Sequence, residues 1–223
     1  DLAVNVSDVS VVEGAMIGGV PATLKAGISN RGIINVSQIT AKFYYDTIDA
    51  AHLIGEAVVD TLAANGSTSV SVPWANPTDG THKLIVVLSA GDGNDLGENK
   101  YEQEFIIKPP LNKVIMIDGS HQNENTKTDT GSYKDNFKLF TLLLKQQGYT
   151  VVENSAVLTD DLLRNVHVLV TTHPKTAYTD TEIAVVNTFV TNGGSLIVAE
   201  KSNNSGSNQN LNSLLAGVGS SVL

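Results

Sequence analysis

The chain has 223 residues, 41% hydrophobic and 17% charged, with a formal charge of -9, a pI near 4.9 and no cysteine. This balance supplies apolar material for more than one core and too little charge for disorder, while the carboxylate excess gives no attraction to phosphate backbones or anionic lipid. Disulfides, thiol nucleophiles and cysteine-held zinc are excluded, and nucleic acid is not expected as a partner.

Residues 1–108 carry 6 basic and 13 acidic side chains against 8 and 10 in residues 109–223, an imbalance that fits solvated strand faces and loops. There is neither a signal peptide nor a run of about 18 apolar residues, so no membrane insertion is expected. Abundant Asn, Ser, Thr, Gly and Val is the texture of secreted modules. The chain is therefore read as extracellular or cell-surface, with any export signal lying upstream and removed.

The first half alternates with a period of two. Short runs over 2–6, 21–28, 39–45, 53–59, 67–74, 82–88 and 101–107 each end in turn chemistry, with Asn30-Arg31-Gly32, Asn65-Gly66 and Asp79-Gly80 at the bends. About seven strands without a helix between them predict an all-β, immunoglobulin-like sandwich over 1–108, with Trp74 in or beside its core. The segments Gly27 to Gly32, Phe43 to Asp46, Leu62 to Ser67, Trp74, Gly80 to His82 and Asp95 to Asn99 resemble the CARDB family, the adhesion-related Ig-like modules of bacterial surface proteins. That resemblance implies a spacer or binding module and no catalysis.

Within the same half, the loop 91–99 gathers Asp92, Asn94, Asp95 and Glu98, oxygen donors of the kind that hold calcium. Leu96 occupies what would be the fifth ligand position of an EF-hand and the glutamate is misplaced. An ordinary acidic hairpin is therefore the reading adopted and no cofactor is expected, with calcium or another divalent metal as the alternative.

Pro109-Pro110 lacks two backbone donors and suits a linker over 109–112. Beyond it the period changes. Lys113 to Asp118 reads as a strand buried on both faces, and Asn136 to Gln147 as a helix with Phe137, Phe140, Leu143 and Leu144 on one face and Gly148 past its end. Strand (149–153), short helix (159–165), strand (166–172), helix (179–191), Gly193-Gly194 stop and strand (195–200) follow. This alternation predicts a parallel α/β layer over 113–223 with right-handed crossovers. Four strands make a thin sheet, so the domain is read as incomplete at its C-terminus.

Ile117 to Asn123, Gly131 to Asn136, Gln147 to Val151, Leu158-Thr159, Tyr178 to Glu182 and Phe189 to Ile197 resemble the flavodoxin-like, class I glutamine-amidotransferase-like domains grouped with gliding-protein and intraflagellar-transport modules. The resemblance implies a three-layer fold. Amidotransferase activity requires a cysteine on a sharp elbow, which is absent here.

In open parallel sheets ligands bind beyond the strand carboxyl ends. That edge is expected to gather Asp118, His121, Asn123 and Glu124 from the first loop, Thr172 and His173 from the third strand, and Glu200, Ser202 and Asn203 from the fourth. Such a set can hold a divalent ion, exchange protons or hydrogen-bond a sugar. Equally, Asp118 can simply end its strand, Glu200 can form a salt bridge, and the histidines can be surface or loop residues. Ser120 and Ser132 lack the Gly-x-Ser-x-Gly elbow, and neither dinucleotide fingerprint nor P-loop is present.

The expected function is a non-catalytic module of a larger secreted or cell-surface protein, its sandwich adhesive or spacing and its α/β domain binding a polar ligand such as a carbohydrate. The expected partners are a polysaccharide or cell-surface component and further domains of the same polypeptide. Two alternatives stay open: a hydrolase, metal-assisted, using Asp118, His121, His173 and Glu200, and a purely structural surface-layer spacer.

Overall fold

The computed structural model describes residues 4–91, 100–200 and 205–220 and divides into two compact units, Asp1–Pro110 and Leu111–Leu223. In the first, β1 (Val4–Val11), β3 (Ala22–Asn30) and β6 (Ser67–Trp74) form a three-stranded sheet. A five-stranded sheet takes β2 (Met16–Ile17), β8 (Lys100–Lys108), β7 (Gly80–Ala90), β4 (Val36–Tyr45) and β5 (Leu53–Leu62), in that order. β2 is a two-residue bridge parallel to the end of β8, too short to be announced by alternation.

Alternate side chains of both sheets meet in one core around Leu24, Ile28, Ile39, Phe43, Leu84 and Leu88. Trp74 belongs to it, as expected. Asn65 (φ 55°) and Gly80 (φ 134°) adopt the positive backbone angles that their turns require. The side chain of Asn30 is buried and closes two loops: its amide donates to the carbonyls of Ile34 (2.8 Å), Leu62 (3.2 Å) and Ala63 (3.1 Å), and its Oδ1 accepts from Gly32 N (2.9 Å).

The second unit is a parallel four-stranded sheet of β9 (Val114–Asp118), β10 (Thr150–Asn154), β11 (Val168–Thr172) and β12 (Ser195–Ala199), in spatial order β10-β9-β11-β12. Helices α1 (Lys138–Gln146), α2 (Asp160–Leu163) and α3 (Asp180–Thr191) connect the strands, and α4 (Ser205–Gly217) follows β12. Met116, Leu169, Leu196 and Val198 pack on one face against residues of α2, α3 and α4, whereas Ile115, Ile117 and Val170 meet Phe137 and Leu144 of the α1 segment on the other. α3 begins with a complete capping box: Thr179 caps the backbone of Glu182, whose carboxylate returns to Thr179.

Two expectations for this unit are corrected. The helix starts at Lys138 rather than Asn136, because the preceding residues are spent in turns, Lys134 N to Gly131 O and Asn136 N to Tyr133 O. Phe140 and Leu143 also leave the core. Only Phe137 and Leu144 of the predicted stripe pack against the sheet, since the apolar arc of Leu139, Phe140, Leu142, Leu143 and Leu144 is wider than one packed face and periodicity alone does not choose which part of it turns inward.

Candidate functional site

The carboxyl ends of β9 and β11 are covered by the loop that leaves β9. Asp118 ends the strand fully buried; its Oδ1 accepts from Ser120 N (3.0 Å) and Ser120 Oγ (2.6 Å), and its Oδ2 from the Tyr178 hydroxyl (2.6 Å). Thr171 Oγ1 lies 3.5 Å from the same Oδ2 and 2.6 Å from the Tyr178 oxygen. Asn123 is buried beside them, donating to Thr171 Oγ1 (2.8 Å) and Tyr178 OH (3.3 Å) while its Oδ1 accepts from His121 N (3.0 Å).

His121 lies between a hydroxyl and a carboxylate. Its Nδ1 is 2.7 Å from Ser120 Oγ, its Nε2 is 3.4 Å from Glu182 Oε2, and its ring contacts that of Tyr178 at 4.0 Å. Because Ser120 donates to Asp118, its oxygen is left to accept from Nδ1–H. Glu182 accepts from Thr179 N (3.0 Å), Thr179 Oγ1 (2.9 Å) and Leu158 N (3.3 Å). Burial pushes the Glu182 carboxyl up, but the Thr179 donors, Leu158 and His121 outweigh it and hold the group below the usual range. Burial, followed by the Asp118 charge, pushes the Tyr178 phenol well above its ordinary value, so it remains a donor.

A second group lies beside the first. His173, in the left-handed region at φ 35° and ahead of Pro174, hydrogen-bonds through Nδ1 with the Glu200 carboxylate, and its Nε2 is 3.9 Å from Glu124 Oε1. Thr172 Oγ1 donates to the Glu124 carbonyl (2.6 Å), and Glu124 N to the His173 carbonyl (3.3 Å). Further along the loop, Lys175 pairs with buried Asp129, which also accepts from Gly131 N (2.7 Å) and Asn125 N (3.2 Å).

The structure sorts the residues expected at the strand ends into two groups, Asp118, His121 and Asn123 in one and Glu124, His173 and Glu200 in the other. The histidines are loop residues, as one reading had it, yet both are buried rather than on the surface. Ser202, Asn203 and the acidic-loop residues Asp92, Asn94, Asp95 and Glu98 lie outside the described residues. Among the described residues no cluster of three or more His, Asp or Glu side chains is arranged to hold a metal ion, and no helix is long and apolar enough to cross a membrane.

Sequence reasoning missed Thr171, Tyr178 and Glu182 as members of the site. The available signal was the Thr179-to-Glu182 capping spacing, which placed Glu182 at the start of a helix without saying that its carboxylate also faces His121. In the first unit, Tyr45 is ringed by His52 (4.8 Å), Trp74 (5.4 Å) and His82 (6.0 Å). The histidines pair with Asp49 (2.7 Å) and Asp46 (2.8 Å) respectively.

The CARDB family model matches residues 1–100, and the model of the IFT52 GIFT domain matches residues 122–222. Among solved structures, the CARDB domain of a Pyrococcus furiosus protein in complex with di-metal ions is 16% identical, with a TM-score of 0.37, covering 49% of this chain and 92% of that one. A domain of a provisionally assigned cell-surface protein of Methanosarcina acetivorans is 20% identical, with a TM-score of 0.35, covering 48% and 90%. No curated protein matches the chain.

Proposed function

We propose that this chain is a non-catalytic module of a cell-surface protein, its CARDB sandwich acting as a spacer or adhesive domain and its α/β unit as a rigid companion layer. The order β10-β9-β11-β12 and the GIFT-domain match support reading that layer as flavodoxin-like and amidotransferase-like, without the cysteine such catalysis needs. One observation carries the proposal: the strand ends where a ligand would sit are filled by the chain's own loop. Asp118, His121 and Asn123 are buried and direct their polar atoms at one another, at Ser120, Thr171 and Tyr178, so a sugar or substrate reaches them only by displacing that loop.

Thermal-shift measurements on the purified chain test this. A ligand specific for the folded state raises the melting temperature. Oligosaccharides and divalent ions are expected to leave it unchanged. A rise above about 2 °C with an oligosaccharide, abolished by Asn123→Ala, would restore the carbohydrate-binding role; a rise with calcium, abolished by Asp92→Asn with Asp95→Asn, would establish the acidic loop as a metal site.

A second reading, a hydrolase, is favoured by the sequence of contacts from the Ser120 hydroxyl through His121 to Glu182. Against it, the hydroxyl is committed to Asp118, whose charge opposes the oxyanion of an acyl-transfer step. A fluorophosphonate probe decides: covalent labelling lost in Ser120→Ala establishes the hydrolase, and an unlabelled wild-type chain eliminates a serine nucleophile.

A further inference from the structure

β10 is an edge of the parallel sheet, paired with β9 alone. Thr150 N donates to Lys113 O (3.0 Å) and Asn154 O accepts from Gly119 N (2.8 Å), so Thr150, Val152 and Asn154 turn their backbone groups toward β9. Successive residues of a strand turn theirs to alternate sides, so those of Val151 and Glu153 face outward, where neither backbone has a partner among the described residues. An N–H and a C=O repeated at this interval are a template for another strand, which proteins ordinarily blunt with a lysine or proline in the edge strand, or with a bulge. β10, Thr-Val-Val-Glu-Asn, contains neither residue, and its register with β9 is unbroken.

The two sides of this edge differ in chemistry. On the α1 side Val151 and Glu153 line a groove with Lys127, Lys138, Leu142 and Lys145. Glu153 is taken up by Lys127, whose backbone N–H donates to it and whose ammonium group lies at 3.8 Å. Lys138 and Lys145, two helical turns apart on one flank of α1, are exposed and make no ion pair among the described residues. Counting Asp135, the groove holds three ammonium groups against two carboxylates, a local cationic excess in a chain of formal charge -9. The other side of the edge is apolar: Val152, beside Met116 in register, is 42% exposed.

We infer that an extended acidic segment of a partner protein adds to β10 as a new edge strand. Its backbone takes up the outward groups of Val151 and Glu153. Its side chains alternate, so those on the α1 side bring carboxylates to Lys138 and Lys145 while those on the other side lay apolar groups on Val152. Main-chain pairing supplies affinity and register, and the lysines select by charge. A basic segment is repelled by the same lysines, and a wholly apolar one would cover them without supplying a counter-charge.

This inference is independent of the proposed function, because a layer whose strand ends are filled by its own loop still has this edge. It is tested on the full chain by fluorescence anisotropy with a labelled octapeptide of alternating Glu and Val. Saturable binding is expected, weakened about tenfold or more by Lys138→Glu with Lys145→Glu. Both lysines are exposed, so that variant is expected to fold, as judged by circular dichroism. Lys25→Glu with Lys83→Glu, the same change of charge on exposed positions of the sandwich, is expected to leave binding unchanged. A Lys-Val octapeptide is expected not to bind, and neither is the Glu-Val peptide N-methylated at every residue, which keeps its charge but has no backbone donors. Absence of Glu-Val binding up to about 1 mM overturns the inference, as does binding that the Lys138 and Lys145 changes leave intact. Equal binding of the Lys-Val peptide overturns the charge selection, and equal binding of the N-methylated peptide overturns strand addition.

Discussion

The phenol of Tyr178 donates a 2.6 Å hydrogen bond to the carboxylate of Asp118, 60 residues earlier in the chain. The bond ties the segment leading into α3 to the carboxyl end of β9. Both groups are buried, and the phenol is pushed well above its ordinary value by burial first and the Asp118 charge second. Tyr178→Phe leaves Asp118 Oδ2 with only the long contact to Thr171 and is expected to cost about 1–3 kcal/mol, read by chemical denaturation. A proton held more tightly in the folded state contributes stability that is complete below the unfolded phenol value, about 10, and lost as pH rises beyond it. The wild-type chain should therefore lose stability in that alkaline window. Tyr178→Phe should lose this contribution; an identical alkaline slope in both would show that the phenol is not its source.

Glu182 behaves in the opposite sense. Its carboxyl is lower in the folded state than in the unfolded chain, so its contribution is present above the ordinary glutamate value and disappears as pH falls through the folded one. Glu182→Ala removes the capping-box acceptor and leaves Leu158 N and His121 without that partner. A loss of about 1–3 kcal/mol at neutral pH is expected, shrinking toward pH 3. A loss that stays constant with pH would mean that packing, rather than charge, makes the contribution.

Much of this was legible in the sequence because the signals are local. A period of two punctuated by Asn-Gly and Asp-Gly announces the sandwich, and the switch to apolar strands alternating with capped helices announces the parallel sheet. What escaped depends on tertiary choice. The apolar arc of α1 is wider than one packed face, so nothing local says that Leu144 faces the sheet and Leu143 does not. α4 was not assigned because Ser, Asn and Gly dominate it, although Leu211, Leu214 and Leu215 recur at the helical interval and are buried. At the strand ends the topology rule located Asp118 and Asn123. It could not reveal that Tyr178 and Glu182, distant in the chain, meet those groups and His121.

Asn30 offers a prediction in the first unit. Its one amide group bonds three carbonyls from the loops after β3 and β5, and its carbonyl holds Gly32 N. Asn30→Ala should cost about 2–4 kcal/mol, as several buried polar groups lose their partner together. Asn30→Asp should fare no better, because a carboxylate accepts but does not donate and would face three carbonyl oxygens. Denaturant melts followed by the single tryptophan, Trp74, report this unit directly; an aspartate variant as stable as wild type would show that the amide donors contribute nothing.

Gly193 and Gly194, the adjacent residues between α3 and β12, are required for different reasons. Gly193 has φ 95° and open space around its missing side chain, so Gly193→Ala should cost about 1 kcal/mol through backbone strain alone. Gly194 has no such angle, but a Cβ there would stand 2.4 Å from the ring of Phe189, a buried member of the core beneath α3. Gly194→Ala should therefore cost about 1–3 kcal/mol by overpacking, and Phe189→Leu should relieve part of it. In a double-mutant cycle the Gly194 and Phe189 changes are expected to couple by at least about 0.5 kcal/mol, whereas Gly193 and Phe189 should be additive. Coupling at Gly193 instead would mean that the turn, and not the ring, sets the requirement for glycine at this corner.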